Sequence, residues 1–123
     1  MKSKVEYWIT RYDAEIGAYY KPCVIPHYTK KEILEQADAG ELVATCKTLK
    51  EVAERYKKDF ACYTRTSVEL GNGNAVFVEA TLFLVERCYI DEDGEADHFE
   101  IVRLYAEPLQ KTRVDVWGKT DRG

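Results

Sequence analysis

AVFVEATLFLVERCYI, residues 75–90, decides the fold of this chain, because its central part is apolar on both faces at the spacing of a β-strand. One face carries Val76, Val78, Ala80, Leu82 and Leu84, and the other carries Phe77, Thr81, Phe83 and Val85. Only Glu79 interrupts the second face. A strand that is solvated on one side alternates apolar with polar residues, so this pattern predicts a strand with a covering layer on each side.

Turn signals on both sides of this strand predict a three-stranded antiparallel meander. Residues 71–74 read GNGN and residues 91–95 read DEDGE; Asn-Gly and Asp-Gly are strong hairpin signals because a type I′ turn needs positive φ. We expect the meander to use residues 61–70, 75–90 and 98–106. Two-residue turns then place Arg87 opposite Glu100, Val85 opposite Val102, Phe83 opposite Leu104 and Val68 opposite Phe77.

The N-terminal quarter of the chain predicts a β-hairpin. Residues 5–12, VEYWITRY, are rich in aromatic and β-branched side chains, and residues 18–25 form the returning strand after a loop at residues 13–17. Pro22 and Pro26 lack backbone N–H donors, so the returning strand lies at a sheet edge or ends early.

Two capping boxes mark the starts of helices. Thr29 stands three residues before Glu32, and Thr48 stands three residues before Glu51, so each Thr–Glu pair can satisfy amides of a first helical turn. The predicted helices span residues 30–39 and 49–59. Between them, residues 41–47 form either a short strand or an extended connection.

These elements predict an α+β fold: an N-terminal β-hairpin, two short helices and a three-stranded antiparallel meander, with the helices packed on one face of the sheet. The expected domain covers residues 1–109, and residues 110–123 form a C-terminal tail that is either an edge strand or flexible. Two short helices, each about 10 Å wide, cover about four strands on one side only. The second face is then covered by the hairpin, by the tail or by another protein chain.

Composition narrows the functional class. The 123 residues carry a formal net charge of −4, which opposes binding to nucleic acid phosphates. No stretch has the length of a membrane span or the pattern of a signal peptide, so we expect a cytoplasmic protein. Four cysteines without a C-x-x-C pair indicate reduced thiols rather than a secreted disulfide framework.

Catalytic and metal-binding patterns are weak in this sequence. Cys23 and His27 have a C-x3-H spacing, but the second short-spaced ligand pair of a structural zinc site is missing. The acidic turn places Gly94 fourth from Asp91, whereas a calcium loop needs glycine sixth. No local signature surrounds any cysteine. We therefore predict no catalytic residues, metal or cofactor, and the sequence favours a protein that is not an enzyme.

The predicted function is that of a small cytosolic non-catalytic binding protein that acts through protein–protein contact. Inhibitors, immunity proteins and antidefence factors of phages or mobile elements belong to this class, and self-association as a homodimer is a further form of it. The predicted contact residues are Tyr7, Trp8, Tyr12, Tyr19, Tyr20, Asp91, Glu92, Asp93, Glu95 and Trp117. Exposed aromatic rings are frequent interface anchors, and an acidic turn attracts a basic partner.

Two other functions are consistent with the sequence. The first alternative is a domain that binds a small molecule or nucleotide in a pocket lined by Tyr and Trp and gated by His27 or His98. The second alternative is a small hydrolase or nuclease that uses one of these histidines as a base.

Overall fold

The computed structural model describes residues 4–115 and the backbone of residues 120–122. It is a mixed α+β structure with antiparallel sheets. Its strands are β1 Lys4–Tyr20, β2 Cys23–Ile25, β3 Glu41–Cys46, β4 Arg65–Leu70, β5 Ala75–Ile90, β6 Ala96–Tyr105, β7 Thr112–Val114 and β8 Thr120–Arg122. Its α-helices are α1 Lys30–Glu35 and α2 Leu49–Arg55, and α2 continues through a π-helical turn at Tyr56–Phe60 and a 3-10 turn at Ala61–Tyr63.

Strand β1 is continuous, so the predicted N-terminal hairpin is wrong. The predicted loop at residues 13–17 instead lies inside β1, where Ala14 and Ile16 are buried. Strand β5 pairs with β1 from Lys4 to Tyr20, and a bulge between Glu15 and Gly17 accommodates the extra residue. The long partner satisfies the backbone of β1 throughout, which a short local hairpin could not do.

The main sheet has the order β3-β1-β5, with both β4 and β6 on the outer edge of β5. β1 pairs along the whole of β5, β4 pairs with residues 76–81, and β6 pairs with residues 83–90. Since β1 occupies one edge of β5, β4 and β6 follow each other along the opposite edge. The three consecutive strands are antiparallel, but β5 does not lie between β4 and β6 as a meander requires.

The predicted strand registers are correct near one turn and shifted elsewhere. Arg87 pairs with Glu100, as predicted, but a bulge near Val85 shifts the next pairs by one residue. Val85 therefore lies opposite Arg103, Phe83 lies opposite Tyr105, and Val68 lies opposite Val78 rather than Phe77. The acidic turn is also one residue longer than predicted, since Asp91 N–H donates to Glu95 O, and Gly94 has φ +82°.

The two helices pack on opposite faces of the sheet, so the prediction that both share one face is wrong. Ile33 of α1 packs with Val78 and Leu82 of β5, whereas Val52 of α2 packs with Phe83 and Val85. Alternate residues of a strand point to opposite faces, so these are two separate cores. The chain itself thus covers both faces of β5, each at a different end.

The first core also includes the segment after residue 109. Strand β7 lies between β2 and β8 in a second small sheet, and Thr112 and Val114 are buried. Leu109 and Ile25 pack beside Val114 in the same core. Thr112–Val114 is therefore the central strand of the small sheet, and Thr120–Arg122, which also belongs to the predicted tail, lies at its edge.

Both helix starts follow the predicted caps, and both helices are short. The Glu32 amide donates to the Thr29 hydroxyl at 3.2 Å, and the Thr29 amide donates to Glu32 Oε1 at 3.0 Å. The Glu51 amide donates to the Thr48 hydroxyl at 3.1 Å. In the described chain, neither helix has the length and apolar character that a membrane span needs.

Replacing Glu32 with Gln tests this cap. The hydrogen bond from the Thr29 amide lowers the pKa of Glu32 below its ordinary value of 4.5. Because this pKa is lower in the folded chain than in the unfolded chain, the Glu32 carboxylate stabilises the fold at pH values above its unfolded-state pKa. This stabilisation is lost as the pH falls through the folded-state pKa. We expect Glu32→Gln to be the less stable protein in urea at pH 7, with the difference shrinking below about pH 4. A difference that stays constant with pH would contradict this role of the charge.

Candidate interaction surface

Within residues 4–115, the two cores leave one face uncovered at each end of the long β1–β5 pair. At the end where α2 covers one side, the opposite side carries apolar side chains. This surface, the open apolar face, consists of Trp8, Leu42, Phe99 and Ile101, with Leu84 and Cys88 buried beneath them. At the other end of β5, the uncovered side is mostly polar.

Strand pairing brings the residues of the open apolar face together. Glu86 pairs with Trp8 on one side and with Ile101 on the other, so these side chains form one row across three strands. The rings of Trp8 and Phe99 meet edge to face with centroids 5.4 Å apart. Trp8 Nε1 donates to Glu6 Oε2 at 3.1 Å, which fixes the indole on this side of β1. Leu42 of β3 lies opposite Thr10 and extends the face.

Three large apolar side chains of this face are exposed to solvent. Leu42 is 48% exposed, Phe99 is 44% exposed and Ile101 is 63% exposed. At roughly 200 Å² for a large side chain, these three residues leave about 300 Å² of apolar surface in contact with water. This area is comparable to the largest apolar patch on a typical monomer, and such patches are often functional.

The charges around the open apolar face are mainly acidic. Glu6 pairs with Cys88 and Glu86 pairs with Trp8, so both carboxylates lie on this side of the sheet. Burial, together with the nearby charges of Glu86 and Glu6, raises the pKa of the Cys88 thiol to about 11. The thiol therefore stays protonated at neutral pH and contributes to the face as a small apolar group.

The acidic turn continues the sheet beyond the open apolar face. Asp91 Oδ1 accepts hydrogen bonds from the amides of Asp93 and Glu95, both at 2.9 Å, so the turn is held by its own first carboxylate. The turn begins three residues after Cys88, which is the cross-strand partner of Phe99. At about 3.3 Å per residue, its start lies about 10 Å from that pair.

The uncovered side at the other end of β5 contains an open polar cleft of about 250 Å³. Its charged lining residues are Asp13, Glu15, Asp38, Arg65 and Glu79. Thr81 donates to Asp13 at 2.8 Å, and Glu15 pairs directly with Glu79 across the strands. A second cleft, lined by Thr45, Cys46, Glu51, Glu54, Arg55 and Lys58, is equally polar. Neither cleft has the Tyr and Trp lining that the ligand-binding alternative predicts.

The two histidines lie away from these clefts. His98 is exposed and lies 3.5 Å from Glu100, beside the ring of Tyr89. His27 is also exposed and lines neither cleft. Within residues 4–115, no three His, Cys, Asp or Glu side chains are grouped in a way that could hold a metal ion.

The aromatic residues that the sequence predicts as one contact site lie in different parts of the structure. Tyr7 lies on the α2 side, Trp8 lies on the open apolar face, and Tyr12 packs against the first core. The hydroxyls of Tyr19 and Tyr28 are 2.7 Å apart, and burial together with this hydrogen bond raises the pKa of Tyr19 to about 12. Tyr19 is thus part of the first core.

The other predicted contact residues that the structure describes lie at opposite ends of the sheet. Tyr20 is exposed at the far end of β1, where it pairs with Ala75. The acidic residues Asp91, Glu92, Asp93 and Glu95 lie at the opposite end of the sheet, next to the open apolar face. Trp117 lies outside the described residues. Of the predicted aromatic contact residues that the structure describes, only Trp8 belongs to the open apolar face.

Sequence reasoning missed Leu42, Phe99 and Ile101 as contact residues. The alternation of Phe99 and Ile101 in HFEIVRLY does place them on one face of β6. The alternation by itself does not indicate whether a layer of this chain covers that face. No local signal in residues 41–46 marks Leu42, whose position depends on the pairing of β3 with β1.

Among the described residues, the open apolar face groups the exposed side chains of Leu42, Phe99 and Ile101 with Trp8 on one side of the sheet. Comparison of the chain with protein-family models, with curated proteins and with solved structures finds no significant match.

Proposed function

We propose that this chain is a non-catalytic binding protein that contacts another protein through the open apolar face. The observation that carries the proposal is the grouping of the exposed side chains Leu42, Phe99 and Ile101 around Trp8 on one side of the sheet. Burial of this surface by a partner removes it from water, which is the main favourable term in protein association.

The shape of the surface favours a protein over a small molecule. Small-molecule sites are concave and enclose most of their ligand, whereas this face spans the four neighbouring strands β3, β1, β5 and β6. Trp8 and Phe99 supply a rigid aromatic pair at its centre. Such rings are frequent anchors of protein interfaces.

Within this class, we propose a cytoplasmic role as an inhibitor, immunity protein or antidefence factor of a phage or mobile element. Proteins with such roles act by covering a surface of their target, which needs a contact face and no reaction chemistry. The small size of the chain supports this role.

Site-specific photo-crosslinking in cells of the natural host tests the proposal. A photoreactive phenylalanine analogue at Ile101 should give one discrete crosslinked protein, whereas the same analogue at Phe77 should not. Phe77 is the matched control because it is 43% exposed but lies on the other uncovered surface. Unlabelled wild type in excess should compete for the product, and Phe99→Ser/Ile101→Ser should compete poorly.

Equal products from positions 101 and 77, or no discrete product, would contradict the proposal. Crosslinking must be accompanied by circular dichroism of each variant, because an unfolded variant would expose other apolar surface. Saturable thermal stabilisation by a nucleotide or metabolite would instead favour the ligand-binding alternative.

A further inference from the structure

The charges around the open apolar face indicate what kind of protein partner would bind there. The inference rests on the function proposed above. We infer that the partner presents a basic amphipathic surface, in which aliphatic or aromatic anchors are flanked by lysine and arginine. The apolar anchors of the partner would pack against Trp8, Phe99 and Ile101. Its lysine and arginine side chains would pair with the carboxylates that border these three residues.

Acidic side chains border the face on the strands themselves. Glu6 and Glu86 lie on the same side of the sheet as Trp8, as their cross-strand pairs show. Lys4 is the one basic residue of β1 and β5 at the described positions on this side, and it pairs with Ile90 at the end of the sheet. The carboxylates therefore lie closer to the centre of the apolar patch than the lysine does.

The basic residues of β5 and β6 lie on the other side. Arg87 Nε donates to the Tyr7 hydroxyl at 3.3 Å, and Arg87 Nη1 lies 3.3 Å from Glu100. His98 also lies beside Glu100, and Arg103 pairs with Val85 on the α2 side. Because these cations are on the opposite side of the sheet, they do not neutralise Glu6 and Glu86.

The acidic turn enlarges the same negative region. It places Asp91, Glu92, Asp93, Glu95 and Asp97 within seven residues, directly beyond Phe99 along the sheet. The turn starts about 10 Å from the Cys88–Phe99 pair, which is slightly more than the Debye length of about 8 Å at physiological salt, so screening weakens its attraction without removing it. A partner that covers Phe99 and extends along the strands would therefore meet these carboxylates too.

A second copy of this chain fits the face poorly. Each copy carries a net charge of −4, and a face-to-face dimer would place Glu6 and Glu86 of both copies in one interface. The exposed apolar area of about 300 Å² is only part of the roughly 800 Å² of total surface per partner that stable interfaces bury, so any partner must also contact the polar groups around it. The partner must therefore gain free energy from the acidic surroundings as well, which a basic protein does. The same carboxylates repel nucleic acids and anionic membranes.

Two synthetic helical peptides test the inference. Both carry the same Leu and Trp face, but the polar face of one contains Lys and that of the other contains Glu. Calorimetry with the wild-type chain should show binding of the Lys peptide that is roughly tenfold or more tighter than binding of the Glu peptide, and increasing salt should weaken it. Phe99→Ser/Ile101→Ser should abolish binding of the Lys peptide.

A pair of double variants separates local charge from net charge. Glu6→Gln/Glu86→Gln and Glu15→Gln/Glu79→Gln each remove two carboxylates from a chain of net charge −4. The first pair lies beside the open apolar face, and the second pair lies on the polar side at the other end of β5. Only the first variant should weaken the Lys peptide, by roughly fivefold or more. Equal weakening by both would show nonspecific attraction and overturn the inference.

Other outcomes are equally decisive. Equal affinity for the two peptides, or no binding of either, would overturn the basic partner, whereas the crosslinking at position 101 would still decide the proposed function. A dimer in sedimentation equilibrium that Phe99→Ser/Ile101→Ser dissociates would assign the face to a second copy instead. Urea unfolding of every variant separates loss of binding from loss of the fold.

Discussion

Replacing Phe83 with Ala is expected to lower the free energy of unfolding by about 3–5 kcal/mol. Phe83 is completely buried, and its ring centroid lies 5.0 Å from that of Phe60 and 6.1 Å from that of Tyr56. These two rings belong to the helical segment that covers this side of the sheet. Truncation removes apolar contacts and leaves a cavity that the rigid strand cannot fill by moving.

Phe77→Ala is the matched control for this substitution. Phe77 lies on the same strand and the same face as Phe83, but it is 43% exposed because the helices do not extend to it. We expect a loss of about 1 kcal/mol or less in urea unfolding. Equal losses for the two substitutions would show that the α2 segment does not cover Phe83 in solution.

Replacing Val114 with Asp is expected to cost about 4 kcal/mol or more and to leave much of the protein unfolded. Val114 is completely buried in the first core, where it packs with Ile25 and Leu109. A carboxylate at this position would lose its hydration without gaining a cationic partner from these apolar neighbours. The free energy of unfolding in urea and the melting temperature measure the effect.

Arg113→Ala is the control for this second substitution. Arg113 is the neighbouring residue in β7, and its side chain is exposed. We expect its replacement to change the stability by about 0.5 kcal/mol or less. If Val114→Asp were as harmless as Arg113→Ala, the segment after residue 109 would behave as the tail that the sequence predicted.

The sequence by itself determined the features that depend on local chemistry. The double-sided apolar pattern of residues 75–90 predicted a strand that is covered on both faces, and Phe83 and Val78 are both buried. The capping threonines Thr29 and Thr48 predicted where the two helices begin. Each of these features follows from residues close together in the chain, so strand period and cap geometry are sufficient to predict it.

The tertiary structure decided which layers cover which face. A helix with one apolar stripe can pack on either side of a sheet, so no residue in α1 or α2 specified that Ile33 and Val52 would lie on opposite sides. The continuity of β1 through residues 13–17 likewise depends on a partner strand more than fifty residues away. The exposed position of Phe99 and Ile101 is a consequence of both choices. Non-local pairing and the placement of layers thus created the candidate binding face from side chains whose local pattern is that of an ordinary half-buried strand.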